Sequence, residues 1–167
     1  MKNFFLGFLG AIVLLAGGLY VFLRLGVANV NSDVTAPVWL DRLFHFAVHA
    51  SVRRKAAGVQ SPAAHTDADL IEGGIIYNDA CAGCHGALGR PRRKKAGFFR
   101  PPEFAYVGTR YSEPEAVWVI KHGIRRTAMS PYGASYTDKQ VGNLAGFVRR
   151  MNDLPPAVLA ALRSEKP

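Results

Sequence analysis

Cysteine is scarce in this sequence, and so are the patterns that predict strands. Only two cysteines, Cys81 and Cys84, occur among 167 residues, so a zinc site built from two ligand pairs lacks its second pair. No stretch alternates apolar and polar residues for long enough to predict a dependable sheet. Hydrophobic residues make up 49% of the chain, which is too many for general disorder. The sequence therefore predicts an ordered, all-α protein.

Charge is also missing from one part of the chain. Residues 4–23 contain no charged residue and no proline, and at about 1.5 Å per residue they span roughly the 30 Å of a bilayer core. We predict a transmembrane anchor over residues 1–25, with the N-terminus in the cytoplasm and the rest exported. A cleaved signal peptide is the alternative, with a cleavage site at Gly26-Val27-Ala28, but the apolar run is longer than the usual 7 to 15 residues.

Residues 26–64 form a predicted connector that contains one amphipathic, basic-ended helix over about 38–56. This helix either packs against the main domain or lies on the anionic membrane surface, and both roles remain open. Its His45 and His49 stand four residues apart but have no third ligand nearby, which favours surface or packing roles over metal binding. His65 lies in the predicted linker, and no role is predicted for it.

The two cysteines stand in Cys81-Ala82-Gly83-Cys84-His85, the pattern for covalent attachment of a c-type haem. Thiols three residues apart near a helix end each reach one vinyl-derived carbon of the same porphyrin, and the next residue, His85, then lies under the iron as its axial ligand. A thioredoxin-like dithiol would follow a strand at the start of a helix, and no βαβ pattern precedes this motif. We therefore predict one covalent haem c.

The sixth iron position distinguishes electron transfer from gas binding or peroxidase chemistry. The chain has three methionines, of which Met1 is the initiator and Met151 lies late in a helical run. Met129 precedes Ser130-Pro131, where proline favours an irregular loop, so its side chain is the best candidate for the second axial ligand. The alternative for any methionine is filling a gap in the core.

The motif is surrounded by sequences that predict three helices, each beginning at a capping box. These boxes pair Thr66 with Asp69, Ser112 with Glu115, and Thr137 with Gln140. Trp118, in the second of these helices, is predicted to line the haem pocket. The domain should be all-α around a flat, hydrophobic cofactor.

The segment 67–155 resembles the mono-haem class I cytochromes c, and more closely a membrane-anchored bacterial branch of them. The resemblance rests on the haem motif and on a set of surrounding residues: Gly74, Tyr77, Arg100-Pro101-Pro102, Ile120-Lys121-His122-Gly123-Ile124 and Phe147-Val148-Arg149-Arg150. It implies a haem domain over residues 65–155 followed by a C-terminal tail, 156–167. It also implies that the first and last helices cross over Gly74 with Phe147 as the counterpart, and that the Pro102 carbonyl accepts the Nδ1 proton of His85.

A run of cations lies between the motif and Pro102. Its members are Arg90, Arg92, Arg93, Lys94, Lys95 and Arg100. The run is either a solvated loop or a docking patch for an acidic partner, and Arg100 could pair with a haem propionate. Nucleic acid is not expected as a partner, because the run lacks interleaved aromatic residues and the domain is predicted to be exported.

The function expected from these features is that of a cytochrome c tethered by a single pass to the bacterial inner membrane, facing the periplasm. It would carry single electrons between membrane-bound respiratory or dehydrogenase complexes, and it would turn over no small-molecule substrate and not be an enzyme. Two alternatives remain open. One is a five-coordinate haem enzyme or sensor of peroxide, NO or CO, and the other is a fixed haem subunit of a larger oxidoreductase.

Overall fold

The structure, a computed structural model, describes residues 2–26, 37–61, 64–88 and 101–164. The described residues form helices and no β-strand, which confirms the predicted all-α class. The chain divides into two compact units, residues 1–34 and 35–167. The helices are α1 (Lys2–Arg24), α2 (Val38–Ala56), α3 (Asp67–Ala80), α4 (Ala82–His85), α5 (Phe104–Val107), α6 (Glu113–His122), α7 (Asp138–Arg150) and α8 (Pro156–Ser164).

The first unit contains α1, which has no buried residue within the structure. Its 23 residues extend over about 35 Å, long enough to cross the hydrocarbon core of a bilayer. In the described part of the chain, it is the only helix that is both long and apolar enough to span a membrane. At its C-terminal end, Arg24 Nε donates a hydrogen bond to the hydroxyl of Tyr20 at 2.9 Å.

Capping residues begin the three main helices of the second unit at the predicted positions. Thr66 and Thr137 each accept a bond from the backbone N–H three residues on, and Asp69 and Gln140 bond back to the cap. Glu115 accepts from the Ser112 N–H at 2.7 Å. The hydrogen bonds from Thr66 lower the pKa of the Asp69 carboxyl. These caps satisfy N–H groups that the helical ladder leaves without partners.

The core of the second unit is the crossing of α3 and α7. A Cβ added to Gly73 would lie 2.3 Å from the carbonyl oxygen of Asn143, so only glycine allows the two backbones to approach this closely. A Cβ on Gly74 would instead lie 2.6 Å from Leu162 and 3.0 Å from the Phe147 ring. Phe147 is therefore at the crossing, as the resemblance implies, but the closest backbone approach is at Gly73 rather than Gly74.

The segment predicted as a C-terminal tail, residues 156–167, instead contains α8 in the structure. Val158 is fully buried and Leu162 is 7% exposed, and both belong to the same core as α3 and α7. The physical reason is visible in the sequence: Pro156 suits the first position of a helix, and two apolar side chains four residues apart share one helical face. The helix therefore closes the core over Gly74.

Helix α2 belongs to the second unit and packs on α6 through its C-terminal half. Val52 and Ala56 are buried, and the His49 ring lies 4.7 Å from the Tyr111 ring. Burial lowers the pKa of His49, and nearby cationic groups lower it further. His45 lies on an exposed part of the helix, 3.5 Å from Asp41 one turn earlier.

Candidate functional site

The predicted haem motif lies where α3 ends and the single turn α4 begins. Cys81 caps α3, and its carbonyl accepts from the N–H groups of Cys84 at 3.1 Å and His85 at 2.9 Å. This turn presents both cysteines and the histidine within one helical turn. Neither cysteine is in a disulfide, and burial raises the pKa of the Cys81 thiol to about 11 while Cys84 is exposed.

Tyr77 fastens this turn to the crossing of α3 and α7. Its hydroxyl donates to the carbonyl of Gly86 at 2.5 Å, and its ring lies 5.5 Å from the ring of Phe147. Gly86 has a φ of 78°, a left-handed conformation that glycine adopts without steric cost. Burial raises the pKa of Tyr77 above its usual range. The chain therefore leaves the motif along a path set by the buried Tyr77.

The ring of His85 is oriented from the other side by the segment after residue 100. Its Nδ1 lies 2.8 Å from the carbonyl oxygen of Pro102. A carbonyl only accepts, so Nδ1 carries the proton, and the nitrogen suited to a metal is Nε2. The Phe104 ring stacks on the imidazole with centroids 4.4 Å apart and planes 9° apart.

Met129 lies in a loop that is organised by hydrogen bonds of its own backbone. The side chain is half-buried against the core. The Ile124 N–H donates to the Met129 carbonyl at 3.0 Å, and the Met129 N–H donates to the Thr127 hydroxyl at 3.1 Å. That hydroxyl in turn donates to the Ile124 carbonyl at 2.7 Å. These three bonds close the loop before Ser130.

Two left-handed residues shape this loop. Gly123 has a φ of 66°, and a Cβ there would lie 2.5 Å from the Met129 carbonyl oxygen. Arg126 has a φ of 63°, the only positive φ at a non-glycine residue in the described chain. Beyond Met129, the Tyr132 N–H donates to the Ile120 carbonyl at 2.9 Å, which returns the loop to α6.

Tyr132 also connects the Met129 loop to the haem motif. Its hydroxyl donates to the carbonyl of Ala80, the residue before Cys81, at 3.4 Å. Burial and the neighbouring cysteines raise its pKa. The Tyr136 ring lies 6.2 Å away. The sequence alone does not predict this contact, and the only local signal is the position of Tyr132 shortly after the candidate ligand.

A second cluster has no local pattern in the sequence, because its members lie far apart in the chain. The side chain of His65 is only 1% exposed, and its Nε2 lies 2.6 Å from Oε1 of Glu113. The Ser61 hydroxyl donates to the same oxygen at 2.5 Å. The imidazole packs on α7 at Gly146, where a Cβ would lie 2.3 Å from Nε2. His65 therefore joins the segment before α3 to α6 and α7.

The remaining predicted residues fall in two groups. Arg100 and the other cations of the run, Arg90, Arg92, Arg93, Lys94 and Lys95, lie outside the described residues. Trp118 is half-buried in α6, and its ring lies 4.9 Å from the ring of His122.

The donors that the structure gathers fit a covalent haem rather than a directly bound ion. They are two thiols on one turn, an imidazole with its Nδ1 proton fixed, and a thioether in a loop that bonds to Ala80, the residue before that turn. Among the described residues, no group of three histidine, cysteine or acidic side chains could hold a metal ion alone. A porphyrin would supply the iron's remaining ligands.

Comparison with known families assigns this part of the chain. Residues 68–148, just under half of the sequence, match the family model described as cytochrome c oxidase, cbb3-type, subunit III. The chain carries a class I cytochrome c domain. The match begins in α3 and ends in α7, so it contains the haem motif, Pro102 and Met129 and excludes α1, α2 and α8. No curated protein and no solved structure matches the chain.

The cytochrome domain indicates the general function of this protein. It is a c-type cytochrome of electron transfer, it binds haem c, and it exchanges electrons with redox partners.

Proposed function

We propose that this cytochrome is a mono-haem electron carrier with histidine and methionine as its axial ligands. The observation that carries the proposal is the fixed His85 ring, placed on the same turn as Cys81 and Cys84 with Nδ1 held 2.8 Å from the Pro102 carbonyl. Cys81 and Cys84 would form the thioethers, and His85 Nε2 and the Met129 thioether would ligate the iron. A single haem is proposed because the sequence contains a single Cys-x-x-Cys-His motif.

The chain's own residues would set the properties of the haem site. Donation from His85 Nδ1 to the Pro102 carbonyl fixes the ring and makes Nε2 a stronger donor. The Met129 thioether favours a higher potential than a second nitrogen ligand would. The bound haem supplies one-electron cycling between Fe(II) and Fe(III). With both axial positions filled by side chains, no position is open for a substrate, so the protein acts as a carrier and not as an enzyme.

The proposed location is the bacterial inner membrane, with α1 as a retained single-pass anchor and the haem domain in the periplasm. Its support is the length and apolar composition of α1 and the flanking Lys2 and Arg24. The partners would be membrane-bound redox proteins acting as electron donor and acceptor. Tethering would raise the effective concentration of the carrier near them, and the cationic run with Arg100 would attract acidic docking faces.

The axial ligation is tested with the chain's own methionines. Met129→Leu should abolish the weak near-infrared band that sulfur ligation gives the oxidised protein, whereas Met151→Leu, which changes a buried core methionine, should retain it. An unchanged band in Met129→Leu would contradict the assignment.

Haem attachment and anchoring have separate tests. The wild-type chain, expressed where the attachment machinery for c-type haem operates, should keep its haem stain on a denaturing gel, and a Cys81→Ser, Cys84→Ser double variant should lose it. A colourless wild-type chain would contradict covalent attachment.

N-terminal sequencing of the mature protein should find α1 present, and a start at Asn29 would refute the tether.

A second candidate function is a fixed haem subunit of a larger oxidoreductase. It is favoured by the description of the matching family, which names a subunit of an oxidase. Blue-native electrophoresis with haem staining separates the two. A free shuttle gives a band at low mass, whereas a fixed subunit gives a band only at high mass.

A further inference from the structure

Helix α2 presents an apolar stripe that is largely exposed within the described part of its compact unit. The exposed fractions are 67% for Trp39, 56% for Leu43 and 73% for Phe46. With Ala50, also exposed, these side chains fall within a sector of about 60° on a helical wheel. Large side chains in one narrow sector form a continuous apolar strip rather than scattered exposed residues.

The stripe is distinct from the face that holds α2 to the domain. Val52 and Ala56, the buried residues of the helix, point about 130° away from the centre of the stripe. That second face packs on α6, and Arg53, which lies between the two faces, forms an ion pair with Glu115 of α6 at 4.0 Å. A helix with two separate apolar faces can stay packed on its domain while the other face binds something outside it.

The charges beside the stripe select the chemistry of its occupant. Arg42 and Arg53 flank it on one side and Arg54 flanks it on the other, and all three are exposed. Lys55 follows, and Asp41 is the only acid of the helix. Arginine beside an apolar strip, with a tryptophan in it, is the composition of a helix that lies in the interface of an anionic bilayer.

The connection to the anchor keeps such a surface within reach. Residues 25–37 separate the end of α1 from the start of α2, and even fully extended they reach at most about 50 Å. If α1 spans the membrane, the N-terminal end of α2 is held within that distance of the lipid headgroups. That confinement strengthens weak interfacial binding, because the second contact becomes intramolecular.

We propose that the stripe of Trp39, Leu43, Phe46 and Ala50 binds the surface of the anionic membrane in which α1 is anchored. The bound stripe gives the cytochrome a second membrane contact, connected to the haem domain through the packing of α2 on α6. Since α6 leads directly into Gly123 and the Met129 loop, this contact fixes the orientation of the domain and not only its distance from the bilayer. The proposal rests on the proposed tether but not on the axial ligands.

The test compares a nitroxide label on the stripe with a matched label elsewhere on α2. With both native cysteines consumed by haem, Phe46→Cys or Ser51→Cys carries a single free thiol for a nitroxide label. Ser51 is exposed on the third side of the same helix, away from both the stripe and the packed face. The oxidised, full-length proteins are reconstituted in nanodiscs of phosphatidylcholine with and without phosphatidylglycerol, and collisions with oxygen and with a water-soluble nickel chelate are measured.

The expected result is a severalfold higher ratio of oxygen to nickel collisions at Phe46→Cys than at Ser51→Cys, larger in discs that contain phosphatidylglycerol. Adding Arg42→Glu and Arg54→Glu should reduce that lipid dependence. Equal, water-like ratios at both sites would overturn the proposal. So would shielding of Phe46→Cys from both reagents, or spin–spin broadening between copies, because either would show a protein partner on the stripe.

These failures remain distinguishable from failure of the proposed function. A chain that stays in the discs and keeps its haem spectrum, yet shows water-like ratios at both labels, retains its anchor and its carrier role and lacks only the surface contact. A chain that leaves the discs has lost the anchor itself.

Discussion

The α3–α7 helix pair and the loop over residues 123–136 carry the proposed iron ligands by different means. The helix pair holds His85 indirectly, through close packing at a glycine crossing. The Asn143 backbone and the Phe147 side chain lie against Gly73, and Tyr77 is fully buried beside Phe147. Burial of this kind is the main favourable term in folding. The haem motif thus depends on the most stable part of the domain.

The loop depends on backbone geometry instead. Met129 is held by hydrogen bonds among Ile124, Thr127 and its own backbone, and by the left-handed Gly123 against its carbonyl. Few buried side chains contribute, so the cost of opening this loop should be well below that of unfolding the domain. We therefore expect that ligation of the iron by His85 and by Met129 can be lost separately. Ligation by Met129 should be lost first.

The largest effect should come from the helix crossing. Gly73→Ala places a Cβ 2.3 Å from a backbone oxygen of α7, which cannot move aside as a flexible side chain would, so we expect a loss of about 3 kcal/mol or more in the free energy of unfolding. Denaturant titration of the haem protein measures it. Gly58→Ala is the control, because nothing lies within 4 Å of its Cβ, and its change should stay within about 0.5 kcal/mol. Equal effects of the two variants would show that the close approach at Gly73 does not stabilise the domain.

The second effect tests whether α8 belongs to the helix pair. Leu162→Ala removes a side chain that fills the space over Gly74 and is 7% exposed, so we expect a loss of about 2 to 3 kcal/mol in the free energy of unfolding. Leu159→Ala, on a half-exposed position of the same helix, should cost about 1 kcal/mol. Neither variant should alter the near-infrared sulfur band. A Leu162→Ala protein as stable as the wild type would mean that α8 is a tail after all.

The sequence predicted those parts of the fold that local patterns encode. The three capping boxes and the all-α class follow from short-range residue choices. The exact crossing position, Gly73 rather than Gly74, depends on how two helices approach in space, and no local pattern encodes that. The His65–Glu113 contact joins residues 48 positions apart, so a histidine in an apparent linker carried no signal of its burial.

The site was predictable to a different degree at each ligand. The spacing of the motif around Cys81 is enough to predict haem attachment. The role of Pro102 was implied only by a family resemblance, and its contact with His85 is seen only in the folded chain. Helix α8 was missed for a simpler reason. Its two buried residues, Val158 and Leu162, make a pattern too short to stand out without the core that they cover.

The third change should lower the free energy of unfolding less than the first two and should have its main effect on the near-infrared sulfur band. Gly123→Ala adds a Cβ 2.5 Å from the Met129 carbonyl at a left-handed φ, so we expect a loss of about 2 kcal/mol and a weakened or absent near-infrared band. Gly108→Ala is matched in φ, at 65°, but its Cβ would meet only Asn152 at 3.4 Å, so it should cost about 1 kcal/mol and keep the band. A band lost in both variants would mean that Met129 is sensitive to general destabilisation rather than to its loop.

The smallest effect should be a gain. Arg126 holds a φ of 63°, which costs a non-glycine residue about 1 kcal/mol, so Arg126→Gly should relieve that strain and stabilise the domain by roughly 0.5 kcal/mol after the added entropy of the unfolded chain is subtracted. Arg125→Gly removes the same charge one residue earlier, where φ is not positive, and should therefore lose a similar amount. Denaturant midpoints measured on the two variants in parallel cancel the shared loss of charge. If both lose stability, the left-handed turn before Met129 is not under strain, and the loop is held more firmly than its hydrogen bonds imply.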